Sequence, residues 1–173
     1  RKIMKNILVT GGAGYCGSVL IPNLLNKGYK VRVLDTLFFG NPFLNIKSNN
    51  LEIIKGDIRN QEIVKYCLSN IDTVLHLACI SNDASFELDE NLSKTINYDA
   101  FEPLVVAAKQ MGVSRFVYVS SSSVYGVSDK KDVKEDHPLI PLSLYNKFKG
   151  LCEPILLKYD DINFCTTILR PAT

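Results

Sequence analysis

Long apolar runs are missing from this sequence. The apolar stretch that follows the basic N-terminal residues is only Ile7-Leu8-Val9, before Thr10 and a glycine cluster. A secretory core needs about 7–15 apolar residues and a membrane span about 20, so no targeting segment and no membrane partner are expected. Runs of one charge are missing too. Lys and Arg number 20 against 18 Asp and Glu, and the longest basic run is the Lys130-Lys131 pair. Nucleic-acid binders carry a basic stripe interleaved with aromatics, so a nucleic-acid partner is not expected. The five cysteines (Cys16, Cys67, Cys79, Cys152, Cys165) have no C-x-x-C spacing, and only His76 and His137 stand beside them. That argues against a metal centre and for reduced, mostly buried thiols in a cytoplasmic protein.

What is present is a steady alternation. Short β-branched and apolar runs at 6–10, 30–35, 51–55, 73–77, 115–120 and 163–169 read as strands covered on both faces. Helical segments are predicted at 15–27, 61–68, 91–111 and 144–159, with Gly28 and Gly112 placed as left-handed caps after two of them. Strand–helix alternation over 173 residues predicts one α/β domain, a Rossmann-like doubly wound parallel sheet with helices on both faces. Pro22, Pro103 and Pro154 fall inside predicted helices, where a proline kinks or ends the element. Two long loops, 36–50 and 125–141, are rich in Asn, Asp, Lys and Pro, and the charged stretch 132–136 reads as a solvated loop.

The segment 10–17, TGGAGYCG, lies between the first strand and the first helix. Glycines there permit a tight turn and let backbone approach a pyrophosphate, and the helix start offers free N–H groups. Gly11, Gly14, Tyr15, Cys16 and Gly17 are the candidate phosphate contacts. Asp35 ends the second strand at roughly the 20-residue distance where a carboxylate accepts from the adenosine ribose diol. The next basic residue, Lys47, is well into the following loop, so NAD is expected rather than NADP.

Tyr145 and Lys149 form Y-x-x-x-K. With 8 tyrosines and 20 basic residues in the chain, about one Tyr-x-x-x-basic pair arises by accident. Context gives the pair its weight: an i, i+4 spacing puts both side chains on one helical face. The fifth strand also runs into a serine tract at the sheet edge where ligands of open α/β sheets bind.

Taken together, TGGAGYCG (10–17), Asp35, GDI (56–58), HLA (76–78), Asn97, SSSSVYG (120–126), YNKFK (145–149) and LRPA (169–172) resemble the extended short-chain dehydrogenase/reductase superfamily, in its nucleotide-sugar epimerase/dehydratase branch. The resemblance implies that Asp57 and Ile58 cap the adenine and that Leu77, Ala78 and Asn97 lie beside the cofactor. It also implies a catalytic triad of Ser121, Tyr145 and Lys149, with Ser122 as the alternative serine. It further implies a nucleotide-sugar substrate, homodimers packed through helices near 91–111 and 142–159, and a substrate lobe beyond the present chain. Cys79 and Cys16 stand where the family has alanine and an aliphatic residue, and the stretch after Asn97 departs from the family's glycine-threonine pattern.

In such a site Tyr145 takes the proton of a sugar hydroxyl while NAD takes the hydride. A cation about 4 Å away contributes about 4 kcal/mol at an effective dielectric of 20, so Lys149, helped by the positive nicotinamide ring, is expected to lower the phenol pKa by about 3, to near 7. His76 reads as a satisfied core histidine. The dehydratases of the family carry acids immediately before V-Y-G, where this chain has Ser122 and Ser123, which favours an epimerase. A reductase, a dehydratase and a non-catalytic dinucleotide-binding sensor are the alternatives.

Overall fold

The computed structural model describes residues 6–129 and 132–172; Lys130-Lys131 and the basic N-terminal residues fall outside them. Six parallel strands, β1 (Asn6–Thr10), β2 (Lys30–Asp35), β3 (Leu51–Lys55), β4 (Thr73–His76), β5 (Arg115–Val119) and β6 (Cys165–Leu169), form one sheet in the order β3-β2-β1-β4-β5-β6. This is the doubly wound order, and the strand direction reverses its progress between β1 and β4. The register brings Thr10 beside Leu34 and His76, His76 beside Tyr118, and Val119 beside Leu169. The C-terminal ends therefore form one row.

Both sheet faces are apolar, which is why the strand sequences do not alternate with polar residues. Leu8, Val74, Phe116 and Tyr118 pack with helices α2 (Gln61–Leu68), α5 (Phe101–Gln110) and α6 (Leu144–Leu157) through Val64, Leu68, Phe101, Leu104, Cys152 and Leu156. Ile7, Val9, Val31 and Val33 pack on the other face with Ile21 of α1 (Tyr15–Asn26) and Phe43 of the 36–50 loop. Cys67 and Cys152 are buried, and burial pushes their thiols up to about 11 and about 12. Cys16 and Cys165 are exposed, so the expectation of mostly buried thiols is corrected to two of five.

The single helix predicted over 91–111 is three elements. Helix α4 (Glu90–Lys94) runs into a π turn (Thr95–Asp99), and α5 follows. Pro103 sits in the first turn of α5, where its missing N–H leaves no helical bond unmade. Pro22 and Pro154 do lie inside α1 and α6. A short helix α3 (Asp83–Glu87) was not foreseen; Asn82 caps it, accepting from the Ser85 N–H at 2.9 Å. Among the described residues, no helix is long and apolar enough to cross a membrane.

Candidate active site

The β1–β2 side of the sheet edge is built from backbone. Gly11 has φ +68°, and a Cβ there would lie 2.5 Å from the Ala78 Cα. A Cβ on Gly17 would come within 2.0 Å of the Gly12 carbonyl oxygen, so this glycine lets α1 sit on the loop. Gly14 is different. Its Cβ would meet only the Gly11 oxygen, closely at 3.3 Å, and the glycine itself lies exposed over the start of α1. No side chain caps α1 and no acid lies in its first turn, where Tyr15 and Cys16 are both exposed. The uncapped N–H groups and positive dipole end are therefore available to an anion. Asp35 is aimed by two main-chain donors: Ala13 N–H to Oδ2 at 3.0 Å and Leu37 N–H to Oδ1 at 2.8 Å.

The end of β4 packs directly on this loop. Leu77 N–H donates to the Thr10 carbonyl at 3.0 Å, and Ala78 is the residue against which Gly11 closes. Asn97 lies further back and is buried. Its Nδ2 donates to the Ile80 carbonyl at 2.9 Å and its Oδ1 accepts from the Ile80 N–H at 2.8 Å, so it pins the chain leaving β4. The Asp57 carboxylate pairs with the Arg59 guanidinium at 2.6 Å, which holds it below the usual carboxylate range, and Arg59 also donates to Thr95 Oγ1 at 3.1 Å. Ile58 is a core residue.

The β4–β5–β6 side is built from side chains. Ser143 caps α6, and Tyr145 and Lys149 follow on one face. Tyr145 is half-buried with its ring against Phe86. Lys149 is buried; its Nζ donates to the Val119 carbonyl at 2.8 Å and stands 5.9 Å from the Tyr145 ring centre. The protein's own groups do not produce the expected fall of Tyr145 to near 7. Burial is the largest influence and raises the phenol pKa; Cys79 and Asp83 add to the rise, and a hydrogen bond from the Asn82 backbone opposes it. The reason is that the Lys149 ammonium is bonded to a carbonyl rather than to the phenolic oxygen. Tyr145 therefore holds its proton through the neutral range.

His76 is a satisfied core histidine as expected. It is fully buried, its Nδ1 is 2.7 Å from Thr10 Oγ1, and burial, then the charge of Lys149, lowers its pKa to about 3. Ser121 caps the 3₁₀ turn (Ser122–Tyr125), and its hydroxyl lies 2.5 Å from that of Ser123. Ser122 instead lines a cavity of about 570 Å³ with Tyr125, Val133, Glu135 and Arg170.

Sequence reasoning missed the knot behind the serines. Glu153 is 2% exposed and takes Arg170 Nε at 3.0 Å and Nη2 at 2.5 Å, while Ser120 Oγ donates to it at 2.6 Å. Arg170 also donates to Tyr125 Oη at 2.6 Å and to the Glu135 carbonyl at 3.1 Å. The available signal was Glu153 lying one helical turn beyond Lys149, on the face already assigned to Tyr145 and Lys149.

A profile of the NAD dependent epimerase/dehydratase family matches residues 7–173. The UDP-glucose 4-epimerase of Neisseria meningitidis is 34% identical over 168 residues, 88% of this chain and 48% of that protein. A 3 beta-hydroxysteroid dehydrogenase/Delta 5-->4-isomerase of Mycobacterium tuberculosis is 31% identical over 176 residues, 96% of this chain and 46% of that protein. The solved structure of DesIV, a dTDP-glucose 4,6-dehydratase from Streptomyces venezuelae with NAD and TYD bound, is similar at a TM-score of 0.87 and 28% identity, covering 95% of this chain and 55% of that one. The chain spans about half the length of each of these three.

Proposed function

The chain belongs to the NAD-dependent epimerase/dehydratase family, and from that premise we propose that it is the cofactor-binding and catalytic part of a nucleotide-sugar epimerase working through a transient keto-sugar. The cofactor is NAD, and the residues of the β1–β2 edge fit it. Gly11, Gly14, Tyr15, Cys16 and Gly17 would hold the pyrophosphate through backbone, and Asp35, already aimed by two N–H donors, would take the ribose diol. Asp57 and the backbone of Ile58 would face the adenine, and Leu77 and Ala78 the nicotinamide side, with Asn97 acting through Ile80. When bound, NAD supplies the hydride acceptor and donor and, in its oxidised form, a positive charge at the sheet edge.

The observation that carries the reading is the convergence on α6: Tyr145 and Lys149 share a face, and Ser121 reaches the helix through Ser123 and Asn146. Tyr145 would take a carbinol proton when ionised and return it to the ketone, so an epimerase cycle ends with the proton where it began. Lys149 keeps a buried positive charge near that phenol. A reductase would use the same three groups. A dehydration needs an acid to expel water, and the Ser123 hydroxyl, bonded to Asn146 Oδ1, is no acid near pH 7.

The test is to incubate full-length protein and NAD with a panel of nucleotide sugars and to read product mass and stereochemistry. Reversible inversion at one carbon with no net NADH is expected. A product lighter by one water makes the protein a dehydratase, and stoichiometric consumption of added NADH makes it a reductase.

A further inference from the structure

Four serines, Ser120 to Ser123, follow β5, and each is used differently. Ser120 is tied to Glu153, and Ser122 faces the cavity beside β6. Ser121 and Ser123 form a two-member relay that ends on α6: Ser123 Oγ donates to Asn146 Oδ1 at 2.5 Å, and the Ser121 and Ser123 hydroxyls are 2.5 Å apart. Asn146 is 7% exposed and stands next to Tyr145 in the chain.

A hydroxyl has one proton to give and two lone pairs, whereas an amide oxygen only accepts. The proton of Ser123 is therefore taken by Asn146. The short contact between the serines then requires Ser121 to be the donor, giving its own proton to Ser123 Oγ. Ser121 also accepts the Ser123 N–H at 3.2 Å. What it has left for a ligand is one lone pair and no proton.

We propose that Asn146, acting through Ser123, holds Ser121 as a hydrogen-bond acceptor in the resting site, so that the site grips an alcohol and loosens its hold on the ketone made from it. This rests on the reading of the substrate as a sugar carbinol. In the resting complex the protonated Tyr145 donates to the carbinol oxygen, and the carbinol O–H donates to Ser121. Tyr145 first gives up its own proton to bulk water, and the carbinol O–H proton then passes to the phenolate oxygen. The C–H bond breaks with its electron pair going to NAD, and a C=O bond forms. The ketone oxygen then faces a Ser121 lone pair and has no proton to offer it. That mismatch frees the keto-sugar to turn, which an epimerase requires. Ser123 and Asn146 are positioning residues in this account.

Ser123→Ala is the direct test because Ser123 is exposed, and the variant's far-ultraviolet circular dichroism and unfolding midpoint are expected to match those of the unmodified protein. The freed Ser121 proton then bonds the ketone. In full-length protein with the nucleotide sugar it converts fastest, two readouts should move in opposite directions. The steady-state near-ultraviolet absorbance of bound reduced nicotinamide rises and epimerisation turnover falls, each by about 2- to 10-fold, the worth of one hydrogen bond. Ser123→Thr, which keeps the hydroxyl, should restore both readouts. Asn146→Leu should mimic Ser123→Ala, and the double variant should be no worse than either single one. Both readouts falling together, or losses that add, overturn the proposal. A neutron map of the unmodified protein reads the same polarity without turnover: deuterium on Ser123 pointing at Asn146 is expected, and deuterium on Ser123 pointing at Ser121 overturns it. Failure of the unmodified protein to convert any nucleotide sugar sinks the epimerase reading and leaves that map to decide the relay.

Discussion

The two halves of the sheet edge are made of different material. On the β1–β2 side the groups that would meet a ligand are main-chain N–H donors and the spaces left by absent Cβ atoms, with one carboxylate held by main-chain donors at Ala13 and Leu37. On the β4–β5–β6 side they are side chains held by other side chains, from Ser121 through Ser123 to Asn146, and from Ser120 through Glu153 to Arg170 and Tyr125. Backbone geometry tolerates little change and accepts any ligand with a phosphate. Side-chain geometry can be retuned one residue at a time. The relatives, which share the fold and differ in their named reactions, fit that division.

The strongest way to break the comparison is Tyr145→Phe. It should lower turnover by about 10²–10⁴-fold, the scale of a general acid–base, while NAD titration gives an unchanged affinity. Loss of both together would mean the halves are not separable. Next comes Glu153→Ala, which leaves the half-buried Arg170 without its carboxylate. Stability should fall by about 3–5 kcal/mol, read by urea unfolding. Replacement of both partners by apolar residues should recover much of it.

The glycines sharpen the other side. Gly17→Ala places a Cβ 2.0 Å from a backbone oxygen and should cost about 1–3 kcal/mol of stability. Gly14→Ala meets one backbone oxygen, at 3.3 Å, and should change stability by less than about 1 kcal/mol, yet weaken NAD binding at least tenfold, since the methyl enters the phosphate cradle. Equal effects of the two on unfolding would remove the distinction between a packing glycine and a ligand-facing one.

A pH-dependent test falls on His76, at the seam between the halves. Its folded pKa of about 3 lies below the ordinary value of 6.5, so the unfolded chain binds the extra proton between those limits. Its contribution is complete above about pH 6.5 and is lost as pH falls toward 3, by at most about 1.4 kcal/mol per pH unit. His76→Gln should flatten that part of the stability–pH curve measured by urea midpoints.

The same division explains what could be read beforehand. All six strands and the sheet class were legible because apolar runs, glycines and prolines act locally; the expected elements fell within two residues of their places apart from the 91–111 region, and α3 was missed. There, a buried amide at Asn97 recruits the Ile80 backbone and a π turn is inserted, a tertiary event with no periodic signature. Of the candidate site, the loop and Asp35 were readable from spacing, whereas Ser121 came only from resemblance. The pKa of Tyr145 was misjudged because the partner of Lys149, the Val119 carbonyl, belongs to another element. Nothing in the spacing of Glu153 and Arg170 announces a pair.

The knot around Arg170 also bears on the order in which the molecule can be assembled. A chain made from its N-terminus can join Asp35 to Ala13 once 22 further residues have appeared, and the β1–β2 edge needs nothing later than β4 to close. The serine tract waits much longer. Ser120 needs Glu153, 33 residues on, and Tyr125 needs Arg170, 45 residues on. Neither Glu153 nor Arg170 exists until the chain is nearly complete, whereas Thr10 and His76 are both present once β4 has been made. A nascent chain therefore reaches a state able to hold dinucleotide before its proton-handling groups are in register, and occupancy by NAD at that stage would stabilise the half already built while the last strand arrives.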